Sequence, residues 1–293
     1  MIDWKDVELK DKERVEAMIC ACGCYNADYS FANMFMWAHE YEPKICFTEN
    51  RLLVGNPKWN MYSYPKGDGD VRPAMDMLLE EAHAKGDKLV IRGLTDKTME
   101  EFRAIYGDAF EISEDRDNAD YLYTADKLCN LAGRHLSSKR NHINKFERNG
   151  DWELVKINAD NVDAARQFVA EFYKEKDDPE LASEAIAIEC MFNNYEALGF
   201  IGGLLYQKGM PVAFSAGTRL GAQAFDVHFE KALPNVEGAY TMINREFARL
   251  VCSEFPEIEY FNREEDMGLE GLRKAKLSYH PDILLMKYFA KEK

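Results

Sequence analysis

The order of predicted elements constrains this chain most, because it nearly repeats between the two halves. Apolar periodicity and turn residues give helix, helix, three strands, helix, strand, helix, strand in the first half. The second half reads strand, helix, helix, three strands, helix, strand, helix, strand. The two predicted helices that open the first half span Asp11–Cys22 and the apolar Tyr29–Tyr41. Strands are predicted at Phe110–Ser113, Tyr121–Thr124, Phe200–Gln207, Val212–Arg219 and Ala224–Phe229. Helices are predicted at Glu180–Leu198 and Tyr240–Glu254. A chain of 293 residues exceeds what one core commonly holds. The expected organisation is an α/β, mixed-sheet protein with a domain over 1–125, a basic connection over 126–150 and a second domain over 151–293.

The formal net charge is −15, so a general affinity for nucleic acid or anionic membranes is not expected. No stable nucleic-acid complex is expected either. Asp3, Lys5, Asp6 and Glu8 lie close after Met1, and no apolar run approaches the ~20 residues of a membrane span. The expectation is a cytoplasmic protein without a transmembrane segment. Seven cysteines, with Cys20, Cys22 and Cys24 close together, lack paired zinc knuckles and read as reduced thiols rather than a metal site.

Two stretches concentrate chemistry. From Arg134 to Arg148, five cations stand against Glu147 alone, a local inversion of the global charge. Ser137 or Ser138 is expected to cap the following helix. Lys139, Arg140, Asn141 and Asn144 then become candidates for holding a phosphate or substrate. The second stretch is Glu257–Pro281. Here an apolar strand, Ile258–Phe261, ends in Asn262, Arg263, Glu264, Glu265 and Asp266, followed by a cationic helix with Arg273, Lys274 and Lys276. A strand ending in carboxylates beside a cationic helix can build a polar pocket; the plainer alternative is a solvated loop with surface ion pairs. Asp226, His228 and Glu230 alternate on one strand and share a face. His228 is the general-base candidate by residue type, against the alternative of a polar, solvent-facing edge.

The element order is similar to that of the acetyltransferase (GNAT) fold, so two tandem acyl-CoA N-acyltransferase-like domains are expected. In that fold a glycine-rich loop holds the pyrophosphate of coenzyme A before the main helix. Here the loop is Pro234–Ala239, with a single glycine, Gly238, ahead of Tyr240. It departs from the acetyl-CoA signature.

Three segments together resemble a particular bacterial family: Lys139-Arg140-Asn141-His142, Gly238-Ala239-Tyr240, and Asn262 through Asp266-x-Gly-x-x-Gly-Leu-Arg-Lys-x-Lys276. It is the soluble branch of the family related to the C-terminal domain of phosphatidylglycerol lysyltransferases, with the Fem-type peptidoglycan aminoacyltransferases as distant relatives. The resemblance implies transfer of an aminoacyl group from charged tRNA to an amine or hydroxyl acceptor. On that reading Asp266 or Glu265 binds the donor ammonium or orients the acceptor, and Arg273 and Lys276 hold a developing oxyanion. His228 is a further catalytic candidate, with Tyr240 and Asn262 beside the substrate. No metal is required. The donor, and the only expected partner, is charged tRNA or a small-molecule acyl donor such as acyl-CoA. The alternatives are acetyl-CoA-dependent N-acetyltransfer and a non-catalytic binding module.

Overall fold

The computed structural model describes residues 1–174 and 179–293, apart from the side chains of residues 179 and 180. The first elements are β1 (Lys5–Asp6), α1 (Lys12–Ala21), α2 (Phe31–Met36) and α3 (Ala38–Tyr41). The single helix expected over Tyr29–Tyr41 is thus divided. Ser30 caps α2 by accepting from the Asn33 amide, and Trp37 leaves helical geometry between the two pieces. Next come β2 (Lys44–Phe47), β3 (Arg51–Asn56), β4 (Met61–Ser63), β5 (Lys66–Gly67), α4 (Arg72–Ala84), β6 (Val90–Leu94) and α5 (Asp96–Tyr106). Pro73 sits in the first turn of α4, where its missing N–H costs nothing. A reciprocal Thr95–Thr98 box starts α5. Strand β7 (Phe110–Thr124) is one strand where two were expected. Its charged middle is largely exposed, which hid its continuity from an apolar count.

The chain continues through α6 (Ala125–Asn130), α7 (Ser137–Arg148), β8 (Trp152–Lys156), α8 (Val162–Tyr173), α9 (Pro179–Asn193) and α10 (Tyr195–Leu198). Then follow β9 (Ile201–Gln207), β10 (Met210–Leu220), β11 (Ala224–Ala232), α11 (Ala239–Glu254), β12 (Tyr260–Asn262), α12 (Glu270–Leu277) and β13 (Ile283–Glu292). The helix expected over Glu180–Leu198 is interrupted at Asn194. The residue at the cap of α7 is Leu136, without a side-chain cap, so neither expected serine caps it.

The chain forms two compact units, and their division is not the linear one expected. Unit 1 contains Met1–Tyr121, Glu264–Lys276 and Ile283–Lys293; unit 2 contains Leu122–Arg263 and Leu277–Asp282. The C-terminal residues therefore supply the first unit with most of α12 and with β13. In unit 1 the strand order is β1-β2-β3-β4-β6-β13-β7, with β5 on β3. Strand β13 lies antiparallel to β6, Tyr288 opposite Leu94. Leu53, Tyr62, Leu78, Ile91 and Phe102 fill the core between this sheet and helices α4 and α5.

In unit 2 the order is β8-β9-β10-β11-β12, followed by the last residues of β7. Strands β11 and β12 are parallel, Phe225 opposite Phe261. The other pairings are antiparallel, which makes the sheet mixed as expected. Strand β10 bulges between Ala216 and Thr218. A Cβ on Gly217 would stand 2.0 Å from the Asp226 carbonyl oxygen, so only glycine fits there. Helix α11 packs across this sheet and buries Met242, Ile243, Phe247 and Val251 with Phe214, Phe225 and Phe261. Each unit thus joins a β-sheet to packed helices, the α/β class expected from the sequence. No described helix is long and apolar enough to cross a membrane.

Strand β13 carries a buried cation into unit 1. The Lys287 ammonium lies 2.7 Å from Asp28 and 2.8 Å from Asp120, and its side chain is 1% exposed. Burial alone would lower the Lys287 pKa, but Asp120, Asp28 and Glu265 outweigh it and hold the amine charged. Asp120 also accepts from the Ala27 amide at 2.8 Å. Removing one partner strands the others without a counter-charge. Lys287→Ala should cost about 3–5 kcal/mol in urea unfolding. Pairing Lys287→Met with Asp120→Asn should restore most of it; a single variant as stable as the parent would show that the pair does not hold β13.

Candidate functional site

Unit 2 brings polar groups from five elements into one niche. Strand β12 delivers Arg263 just past its end, β11 delivers Glu230, α11 delivers Asn244 and Thr241, and α7 delivers Lys139. The turn after α12 delivers Ser278 and Tyr279. Arg263 and Glu230 pair at 2.8 Å with side chains 14% and 10% exposed. Asn244 donates to the other Glu230 oxygen at 3.1 Å, so the carboxylate is held from two sides. The guanidinium lies over the rings of Tyr279 at 5.1 Å and Tyr123 at 5.8 Å. Lys139 donates to Ser278 Oγ at 2.7 Å, and its ammonium stands 3.8 Å from the centre of the Tyr279 ring.

This setting changes the lysine. Burial, reinforced by the Arg263 charge and opposed by Glu230, brings the Lys139 pKa down to about 8. An amine of this kind is partly neutral near physiological pH and can accept a proton. Burial pushes the neighbouring Tyr279 phenol up to about 12, where it stays neutral. The niche thus contains a fixed cation, a paired carboxylate, a tunable amine and two aromatic walls. Tyr279 and Tyr123 were absent from the expected site, and Glu230 and Arg263 were read only as members of a strand face and of a polar stretch. Arg263 stood in the polar stretch after β12, but nothing in the spacing says that it would fold onto Glu230, 33 positions away.

The other expected residues of unit 2 fall around this niche. Asn262 is fully buried at the end of β12. Its neighbour across the parallel ladder is Asp226. Asp226 and His228 are 0% and 8% exposed on β11, a central strand rather than a solvated edge. The imidazole bonds Thr218 Oγ1 through Nε2 at 2.8 Å, and its Nδ1 lies 3.6 Å from Asp226. Phe200 closes over the ring at 5.3 Å. His228 therefore belongs to a buried hydroxyl–imidazole–carboxylate row. Tyr240 is 46% exposed at the start of α11.

Arg140 points away from its neighbour Lys139, as adjacent helical residues must. Its Nη1 donates to the carbonyl oxygens of Leu131 at 2.5 Å and Gly133 at 2.7 Å, bracing the loop before α7. Arg140, Asn141 and Asn144 line a polar cavity of about 200 Å³ that also meets Ser137, Asn130 and Arg245. The cationic run thus divides between two places.

The loop before α11 has a packing role. Gly238 has a φ of 86°, and a Cβ there would stand 2.3 Å from the His142 carbonyl oxygen and 3.0 Å from Phe146 Cβ. Glu237 and Lys145 pair at 2.6 Å beside it. The glycine thus serves the close approach of α7.

Unit 1 contains the remaining expected residues. Asp266 is fully buried and accepts from Tyr121, from Arg116 at 3.2 Å, from Arg273 Nε and Nη2 at 2.9 and 2.7 Å, and from the Gly268 amide at 2.9 Å. Burial would raise its pKa; Arg273, Tyr121 and the Gly268 amide outweigh it and hold the carboxylate well below its usual range. Arg273 bridges onward to Asp117 at 2.7 Å. Lys276 is 7% exposed, donates to the Glu265 carbonyl and lies over the Tyr121 ring. Burial pushes Glu265 up to about 7, against the pull of Lys287 and with the repulsion of Glu264. Asp266 and Arg273 are therefore each other's partners, with the Arg273 side chain 32% exposed.

Comparison with known proteins agrees with this architecture. A crystal structure of a conserved protein of unknown function from Bacteroides thetaiotaomicron is 34% identical, with a TM-score of 0.92 over 100% of both chains. The structure of L-PGS from Bacillus licheniformis has a TM-score of 0.68 at 15% identity, covering 100% of this chain and 94% of that one. An uncharacterised protein of Mycoplasmoides gallisepticum is 25% identical over 180 residues, 59% of this chain and 56% of the other. The match thus spans little more than half the length of that curated relative. The model of the family "Phosphatidylglycerol lysyltransferase, C-terminal" matches residues 23–291, and the chain belongs to that family.

Proposed function

We propose that this chain is an aminoacyltransferase that moves an aminoacyl group from charged tRNA to an amine or hydroxyl acceptor, with the reacting groups in the unit 2 niche. The observation that carries the reading is the family match over residues 23–291. The Lys139–Arg263–Glu230 arrangement supports its location. In the reaction, the acceptor's nitrogen or oxygen attacks the ester carbonyl of the donor. Neutral Lys139 takes the acceptor's proton, and Arg263 lies where negative charge develops on the carbonyl oxygen. Glu230 and Asn244 hold Arg263 in place. As the tetrahedral intermediate collapses, the ribose oxygen leaves and recovers a proton from Lys139. Orientation, a proton acceptor and one cation suffice for this step.

The use of Gly238 for packing against α7 supports charged tRNA over coenzyme A as donor, since that glycine is spoken for by a helix backbone. With a net charge of −15, contact with tRNA is confined to the local cationic run of α7, so its salt dependence is shallow.

The test is a transfer assay with tRNA charged with labelled amino acid and a panel of amines and hydroxyl compounds. The parent should consume the ester in the presence of an acceptor, and Lys139→Met should slow this about 10²–10⁴-fold. Consumption of acetyl-CoA with every charged tRNA left intact would overturn the reading.

The rate should rise with pH and level off above about 8, because only the neutral form of Lys139 accepts a proton. Were Lys139 a phosphate holder instead, the rate would fall as pH rises through its pKa, and that profile would remove it from the acid–base role.

Arg273→Ala should leave transfer within a few-fold of the parent while lowering the urea unfolding midpoint, since it removes two of the donors to buried Asp266. Abolished transfer at unchanged stability would return Arg273 to the reacting groups.

A further inference from the structure

Unit 2 contains a pair of thiols that the transfer chemistry does not use. Cys129 lies near the end of α6 and Cys252 near the end of α11, and their sulfurs are 3.7 Å apart. Both side chains are partly exposed, so a small reagent in solvent can reach them. The two residues are far apart in sequence, yet α6 and α11 pack directly on each other. Arg249, one turn before Cys252, donates to the Cys129 carbonyl at 2.9 Å and fixes the two helix ends against each other. A disulfide needs its sulfurs at about 2.05 Å, so bonding asks for a small approach rather than a rearrangement.

We propose that Cys129 and Cys252 are a reversible redox modification site, closing as an intramolecular disulfide that clamps α6 to α11. The oxidant is a low-molecular-weight disulfide. The Cys252 thiolate attacks one sulfur of the oxidant, breaking its S–S bond and releasing one thiolate. Cys129 then gives up its proton and attacks the Cys252 sulfur, forming the Cys129–Cys252 bond and releasing the second thiol. The protein loses two electrons and two protons, and the oxidant is reduced to two thiols.

The order of attack follows from the hydrogen bond between them. Donation by Cys129 lowers the Cys252 pKa against the cost of burial, whereas the same bond and burial raise Cys129. Cys252 is thus the attacking sulfur and Cys129 the resolving one. The clamp also reaches the polar cavity of α7: Asn130 and Leu131 follow Cys129 directly, and Arg245 on α11 lines the same cavity.

Cys22 and Cys24 form the natural control. They also share a hydrogen bond, which raises Cys22 and lowers Cys24 to about 6. They lie on either side of Gly23, and a bond between them would close only a tight turn. A Cys129–Cys252 bond would close a loop of more than 100 residues, the case in which a crosslink restrains the unfolded chain most.

The full chain is equilibrated with oxidised glutathione at graded ratios, alkylated and mapped by peptide mass spectrometry, with thermal melting in parallel. The expected product is two hydrogens lighter, linked Cys129–Cys252, and melts about 5–10 °C higher. Cys252→Ser should lose the linkage and the shift while melting normally when reduced; Cys22→Ser should keep both. Glutathione adducts without internal closure, linkage at Cys22–Cys24 alone, or a crosslink that leaves the melting temperature unchanged would each overturn the proposal.

Discussion

A guanidinium withdrawn from water must be met by a carboxylate, and in unit 2 the Arg263–Glu230 pair meets that requirement. Arg263 follows the parallel β11–β12 ladder, so its position is set by the pairing of Phe225 with Phe261 beneath it. Glu230 lies further along β11, held by Asn244 of the helix that packs across the same sheet. The Arg263–Glu230 pair therefore rests on the same three elements that build the core. The cation left beside this pair, Lys139, feels both the loss of water and the Arg263 charge, and it yields its proton more easily for both reasons.

Helix α7 shows how one short run can serve two places. Lys139 turns into the niche, whereas Arg140 braces the Leu131–Gly133 loop and lines a separate polar cavity. The same helix presses against Gly238 so closely that no side chain is admitted there. A loop that could have cradled a phosphate is thereby given over to packing.

Much of the fold was legible in residue order. The strands expected at Phe200–Gln207, Val212–Arg219 and Ala224–Phe229 and the helix expected at Tyr240–Glu254 all form, because apolar runs and turn residues act locally, and a local signal survives without knowledge of the whole. What escaped was non-local. Strand β7 is one strand in a sheet beside β13, which its charged middle could not announce, and β13 returns to the first unit, where Lys287 finds Asp28 and Asp120. The same division runs through the site. The Lys139 segment and the polar stretch after β12 could be picked out by charge inversion and residue type. That Asp266 and Arg273 satisfy each other, and that Arg263 pairs with Glu230, depends on contacts between distant positions.

The account stands on Lys139 being an amine that loses its proton near physiological pH, and nuclear magnetic resonance of side-chain-labelled lysine measures this directly. One lysine signal should titrate at about 8, and Lys139→Arg should remove that signal and no other. If every lysine of the folded protein keeps its proton to about pH 10 and beyond, as an unperturbed ammonium does, Lys139 is an ordinary cation and the niche has no proton acceptor of this kind.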